Sequence, residues 1–143
     1  MTLQDQLTTQ LRRDEGEVLH AYQDHLGYWT LGIGRLIDKR KGGGITPDEA
    51  AYLLANDIKR VSVEVSKRLP WFEALDEARK GVLLNMAFQM GVDGLLGFKN
   101  TLAMVARHDY AKAADGMLNS LWARQTPARA QRLSKQMRTG EWQ

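Results

Sequence analysis

Glu15, Asp24 and Thr30 are the residues whose types and spacing point to chemistry. They share one stretch, Arg13 to Arg35, written RDEGEVLHAYQDHLGYWTLGIGR. Glu15 and Gly16 close an amphipathic helix, and Asp24 follows nine residues after Glu15, at a turn. Gly27-Tyr28-Trp29-Thr30-Leu31-Gly32-Ile33-Gly34 then reads as a strand punctuated by glycine. Two carboxyl groups with room for a water between them are the equipment for hydrolysing a glycosidic bond. One protonates the leaving oxygen and the other prepares the water. Spacing alone leaves structural roles open, because a glutamate ending a helix is ordinarily solvated and an aspartate in a turn ordinarily bonds its own backbone.

Other chemistry finds no support. His20, His25 and His108 form neither an HExxH nor an i,i+4 pair, and there is no cysteine, so no metal site is expected. The chain has no GxSxG or SxxK for a serine nucleophile, and no GxxxxGK[ST] or GxGxxG for a phosphate.

The elements that must hold the carboxylates follow from local signals. Thr2 caps a first helix with Asp5 as its capping-box partner, and Leu3, Leu7 and Leu11 mark a buried stripe. Gly16 stops that helix and leaves Glu15 beside the negative end of its dipole. Residues 18–23 and 28–34 read as two strands around a turn at 24–27, and the glycines of the second imply close backbone approach. Ile45 is expected in a short third strand. Lys39-Arg40-Lys41-Gly42-Gly43-Gly44 reads as an exposed loop.

Thr46-Pro47-Asp48-Glu49 starts a helix to about residue 68, ended by Pro70. Ala50, Leu53, Leu54, Asp57, Ile58, Val61 and Val65 share one side of it. Asp76 caps a broadly apolar helix stopped by Gly91, in which Met86, Phe88 and Met90 read as core. A turn over 92–97, helices over about 98–107 and 109–122, and a basic last helix from Thr126-Pro127 to Thr139-Gly140 complete the chain. No repeat or long linker appears.

The 143 residues fit one domain, with 43% hydrophobic and 26% charged residues. Net charge is +3 but uneven: residues 1–78 carry 10 Lys/Arg against 13 Asp/Glu, and residues 79–143 carry 10 against 4. The basic second half suits an anionic polymer or a lipid headgroup surface, or is simply a solvated face. No nucleic-acid motif accompanies it. No 18-residue apolar run appears, and MTLQDQLTTQLRRDEG lacks the basic-then-apolar order of a signal peptide.

The residues Arg13-Asp14-Glu15-Gly16, Tyr22-Gln23-Asp24 and Gly27 to Gly34 resemble the phage lysozymes of the T-even type, glycoside hydrolase family 24. The similarity continues through Ile45-Thr46-Pro47-Asp48-Glu49-Ala50, Asn56-Asp57, Asn85-Met86-Ala87-Phe88-Gln89-Met90-Gly91 and Gly97-Phe98-Lys99-Asn100-Thr101-Leu102. It closes with Trp122-Ala123-Arg124-Gln125-Thr126-Pro127-Ala128-Arg129-Ala130 and Arg138-Thr139-Gly140-Glu141-Trp142.

The resemblance implies an α+β, mainly helical fold. A β-hairpin lobe would span about 16–46 and a connecting helix about 47–68. A helical lobe would cover about 70–143, joined by the N-terminal helix 2–15, with a cleft between the lobes. It implies Glu15 as general acid, Asp24 as the carboxylate holding water, and Thr30 as the hydroxyl that places it. Gly34, Leu36, Phe88, Gln89 and Arg129 match saccharide-contacting positions, and Arg129 also matches an arginine that pairs with the glutamate. Arg35 stands where the family commonly has histidine, and an Arg35–Asp57 ion pair is expected. The segment from Leu36 to Ile45 is shorter than in the T-even protein.

The implied reaction is inverting hydrolysis of the β-1,4 bond between N-acetylmuramic acid and N-acetylglucosamine in peptidoglycan, by a monomer, with no cofactor. The implied role is a phage endolysin, made in the host cytoplasm and admitted to the wall through a holin-type pore. Transient contact with an anionic membrane or lipopolysaccharide through the basic last helix is a further expectation. The rivals are a lytic transglycosylase, which would leave 1,6-anhydro ends, a wall-binding module without catalysis, and a membrane-disrupting role of the basic last helix that could coexist with catalysis.

Overall fold

A computed structural model describes residues 2–37 and 44–143; the expected basic loop over 39–44 lies outside the described residues except for Gly44. The chain is mainly helical with a small antiparallel sheet, the α+β class expected. It divides into two units, Met1–Leu53 and Leu54–Gln143.

The first unit opens with α1 (Leu3–Glu15). Its start is the expected capping box: the Thr2 hydroxyl accepts the Asp5 amide at 3.1 Å, and Asp5 Oδ2 accepts the Thr2 amide at 2.9 Å. Gly16 ends the helix at φ 77°, where a side chain would be strained. Leu7 and Leu11 remain 46% and 43% exposed, so they do not form the buried stripe expected.

Strands β1 (Val18–Gln23), β2 (Trp29–Gly32) and β3 (Arg35–Leu36) follow, in sheet order β1-β2-β3. Tyr22 and Gln23 face Thr30 and Trp29, and Thr30 and Leu31 face Leu36 and Arg35. The third strand is thus Arg35–Leu36 and not at Ile45. The two-residue turn Ile33-Gly34 folds β3 back at once, because Gly32 and Gly34 both adopt positive φ.

Helix α2 (Pro47–Arg68) begins with the second expected capping box. Glu49 N–H donates to Thr46 Oγ1 at 3.2 Å, and Thr46 N–H donates to Glu49 Oε1 at 2.9 Å. The division between the units falls within α2, after Leu53. Of its apolar side only Val65 is fully buried; Leu53, Leu54 and Ile58 stay about half exposed.

The second unit holds the hydrophobic core. Helix α3 (Glu77–Leu96), capped by Asp76, buries Val82, Leu83, Met86 and Ala87. Gly91 breaks its ladder at φ 80°, ψ 160°, where the sequence pattern ends that helix. Phe88, expected in the core, is 47% exposed, a correction that follows from the helix having an open side there. Helices α4 (Lys99–Ala106), α5 (Tyr110–Leu118), α6 (Leu121–Gln125) and α7 (Pro127–Thr139) contribute Leu102, Val105, Met117, Trp122, Leu133 and Met137 to the core.

The single helix expected over 109–122 is two. Ser120 Oγ donates to the Met117 carbonyl at 2.7 Å and accepts the Ala123 amide at 3.1 Å, so it closes α5 and opens α6. Thr126 does not cap α7 with its side chain, since its hydroxyl donates back to the Trp122 carbonyl at 2.9 Å. Among the described residues no single helix is long and apolar enough to cross a membrane.

Candidate active site

Three sequence-assigned residues gather on the sheet of the first unit. Glu15 is the last residue of α1, and its carboxyl lies against the β2–β3 turn: a Cβ built on Gly34 would meet Glu15 Oε2 at 2.8 Å. The neighbouring arginines are engaged elsewhere. Arg12 Nε lies 3.1 Å from Glu17 Oε2 and Arg13 Nε lies 2.9 Å from Asp14 Oδ1.

Asp24 begins the turn at the other end of β2. Its Oδ1 accepts the amides of Leu26 and Tyr28, each at 2.9 Å, and its own N–H donates to the Tyr28 carbonyl at 2.8 Å. An aspartate favours such a turn because its short side chain reaches the amides two and four residues on. Both bonds fall on Oδ1, so they fix the orientation of the whole carboxylate.

Thr30 is 3% exposed. Its hydroxyl donates to the same Tyr28 carbonyl at 3.1 Å. Asp24 and Thr30 thereby converge on one carbonyl oxygen, and the Thr30 oxygen keeps its lone pairs for a donor. Leu36 pairs across the sheet with Thr30.

Arg35 and Asp57 each have an oppositely charged partner within their own unit. Arg35 Nη2 lies 3.2 Å from Glu49 Oε2, and Asp57 Oδ1 accepts from Arg60 Nη2 at 2.7 Å. Within the first unit the acidic partner of Arg35 is Glu49, and the expected Arg35–Asp57 pair would join residues of different units. Glu49 is already held by the Thr46 cap, and Asp57 has an arginine one helical turn away.

In the second unit, Phe88 and Arg129 line one groove of about 320 Å³ with Leu54, Ile58, Leu84 and Trp142. Sequence reasoning missed Asn85, which holds the arginine. Arg129 Nε donates to Asn85 Oδ1 at 2.9 Å and Nη2 to the Asn85 carbonyl at 3.3 Å. Its place three residues before Phe88 on the same helix was the available signal. Gln89 does not line that groove; its Oε1 accepts Trp122 Nε1–H at 2.9 Å, and Trp122 meets Phe98 edge-on at 6.0 Å.

The protein family described as phage lysozyme matches residues 12–138. The chain is 35% identical to the probable T4-type lysozyme 1 of Dictyostelium discoideum, over 91% of this chain and 92% of that one. It is 36% identical to the pre-baseplate central spike protein Gp5 of Enterobacteria phage T4, over 91% of this chain but only 27% of that longer protein. The endolysin of Salmonella phage P22 is 31% identical, over 80% of this chain and 78% of its own length.

Proposed function

The chain belongs to the phage lysozyme family, and from that membership we propose how its residues act on peptidoglycan. As a member it is a lysozyme-type glycoside hydrolase, and a relative named peptidoglycan hydrolase is 31% identical to it. The bond we assign is the β-1,4 linkage between N-acetylmuramic acid and N-acetylglucosamine. Glu15 gives its proton to the glycosidic oxygen as the C–O bond breaks. A water attacks the anomeric carbon from the opposite face while Asp24 takes its proton, and the Thr30 oxygen accepts that water's second hydrogen.

The observation carrying this reading is that the two carboxylates occupy opposite ends of one short strand. Asp24 sits in the turn before β2, and the Glu15 carboxyl lies on Gly34, just beyond its end. We assign inversion, which needs roughly 6.5–9.5 Å between carboxyls to admit the water, where retention needs roughly 5–5.5 Å. Phe88 and Arg129 would contact the saccharide, with Asn85 fixing the arginine. Arg124, Arg132 and Lys135 are exposed and have no ion pair among the described residues, and we assign them to contact with an anionic wall or membrane surface. In this reading the monomer lyses the host after a holin-type pore admits it to the wall.

The test is digestion of purified peptidoglycan by the wild type, Glu15→Gln and Asp24→Asn. Mass spectrometry of the fragment ends and NMR of the fresh anomer provide the readout. New reducing ends born as the α-anomer, lost in both variants, are expected. Anhydro ends would identify a transglycosylase, and undiminished cleavage by Glu15→Gln would remove the acid assignment. Killing of cells by Glu15→Gln would reveal a separate action on the membrane.

A further inference from the structure

We propose that Gly34 is the positioning residue for the Glu15 carboxyl, a role distinct from touching the saccharide. The inference rests on the assignment of Glu15 as the acid. At Gly34 a side chain would meet Glu15 three times over: Oε2 at 2.8 Å, Cδ at 2.9 Å and Cγ at 3.1 Å. The bare Cα is therefore the surface on which this carboxyl rests. No basic neighbour in sequence holds it instead, because Arg12 and Arg13 bond Glu17 and Asp14.

Gly32 supplies a control built into the same sheet. Its φ is 68° against 67° for Gly34, so both lie in the left-handed range where alanine is strained. A Cβ on Gly32, however, meets no atom within 4 Å. Two demands thus coincide at Gly34, a left-handed backbone and an empty place for the acid, and only the first applies at Gly32. A general acid must point along a lone pair of the leaving oxygen, and a displacement of about 1 Å costs on the order of 100-fold in rate.

The experiment compares Gly34→Ala with Gly32→Ala in the full chain, reading kcat, KM, the pH profile of kcat and the thermal midpoint. Both variants should lose part of their midpoint from backbone strain. Gly34→Ala should lose about 100-fold in kcat with KM within about threefold, and its alkaline limb should move. Gly32→Ala should keep kcat within about threefold and an unmoved limb. Glu15→Asp withdraws the carboxyl by one methylene, so adding Gly34→Ala to it should lower kcat no more than about threefold further.

Equal kcat losses in the two glycine variants, or a full further loss on Glu15→Asp, would overturn the proposal. A stability cycle tests the contact apart from catalysis and covers a Gly34→Ala chain too unstable to assay. Gly34→Ala should cost less of the midpoint in a Glu15→Ala background than in the wild type, and Gly32→Ala should cost the same in both. An undiminished cost of Gly34→Ala there would show that the alanine strikes something other than Glu15. If instead Glu15→Gln remains active while this cycle holds, the acid assignment fails and the contact stands.

Discussion

Arg35 joins the end of the sheet to the start of α2 through Glu49, with Nη2 3.2 Å from Oε2, while its Nη1 donates to the Gly44 carbonyl at 2.9 Å. The same carboxylate accepts the Thr46 amide. The Thr46 amide first, then the Thr46 hydroxyl and the Arg35 charge, hold the Glu49 carboxyl below its ordinary range. A depressed carboxylate contributes stability above its unfolded value, and that contribution fades as pH falls through the folded value. Arginine does not titrate here, so the pair gives no step near neutrality.

Arg35→His should create one. Beside Glu49 the folded imidazole is raised above its unfolded value. Its stabilisation is then complete below the unfolded value, about 6.5, and lost as pH rises through the folded value. Thermal midpoints between pH 5.5 and 8.5 should show a fall in Arg35→His that the wild type lacks. A fall of the same size in Arg35→His/Glu49→Gln would refute the pairing.

Arg79 binds the end of α7 to the start of α3. Its side chain, 15% exposed, donates from Nε to the Met137 carbonyl at 2.7 Å and from Nη2 to the Arg138 carbonyl at 3.1 Å. Its guanidinium lies 3.7 Å over the Tyr110 ring. Arg79→Ala leaves those helix-end carbonyls without a donor and should cost about 2–4 kcal/mol. Arg79→Lys cannot fork to two carbonyls and should recover less than half of that in denaturant melts.

Asp76 feels opposing effects. Burial pushes its carboxyl up, but hydrogen bonds from the Arg79 side chain and amide, with the Arg79 charge, outweigh it and leave the group below its ordinary value. Its contribution should therefore be whole above the unfolded value, about 3.9, and lost as pH drops through the folded one. Asp76→Ala should cost about 1 kcal/mol at pH 7. Urea midpoints of the variant and wild type should draw together near pH 2, and a constant gap would contradict the assignment.

His108 adopts φ 64° after α4, with its N–H on the Val105 carbonyl at 3.0 Å and the next amide, of Asp109, on the Met104 carbonyl at 2.8 Å. This is a Schellman ending with histidine where glycine is usual. His108→Gly should raise stability by up to about 1 kcal/mol. The stacked contact with Tyr110 works against the gain, so Tyr110→Ala should enlarge it.

The Thr30 hydroxyl should matter to rate and not to affinity. Thr30→Ser is expected to keep kcat within about threefold, and Thr30→Val to lower it about tenfold or more with KM nearly unchanged. A Thr30→Val enzyme at full kcat would remove Thr30 from the reaction.

Sequence reading succeeded where the partners lie within one helical turn. Thr2 with Asp5, Thr46 with Glu49 and Asp76 with the Arg79 amide are bonds three residues long, so residue type and spacing suffice to place them. The stop at Gly91, the hairpin from Val18 to Gly32 and the turn at Asp24 belong to the same class. Ser120 was legible by that rule too, and was passed over because the apolar pattern on either side of it continues.

What residue order determined about this protein is therefore its list of elements, the acids at a helix end and a hairpin turn, and the family those residues mark. Tertiary structure alone decided which of two glycines with nearly equal φ lies under Glu15, that Arg35 meets Glu49, and that Arg79 closes a helix 58 residues away. Local bonds are set by the short chain between partners, which samples few conformations. Contacts between distant segments depend on how whole elements pack, and no single stretch of sequence carries that information.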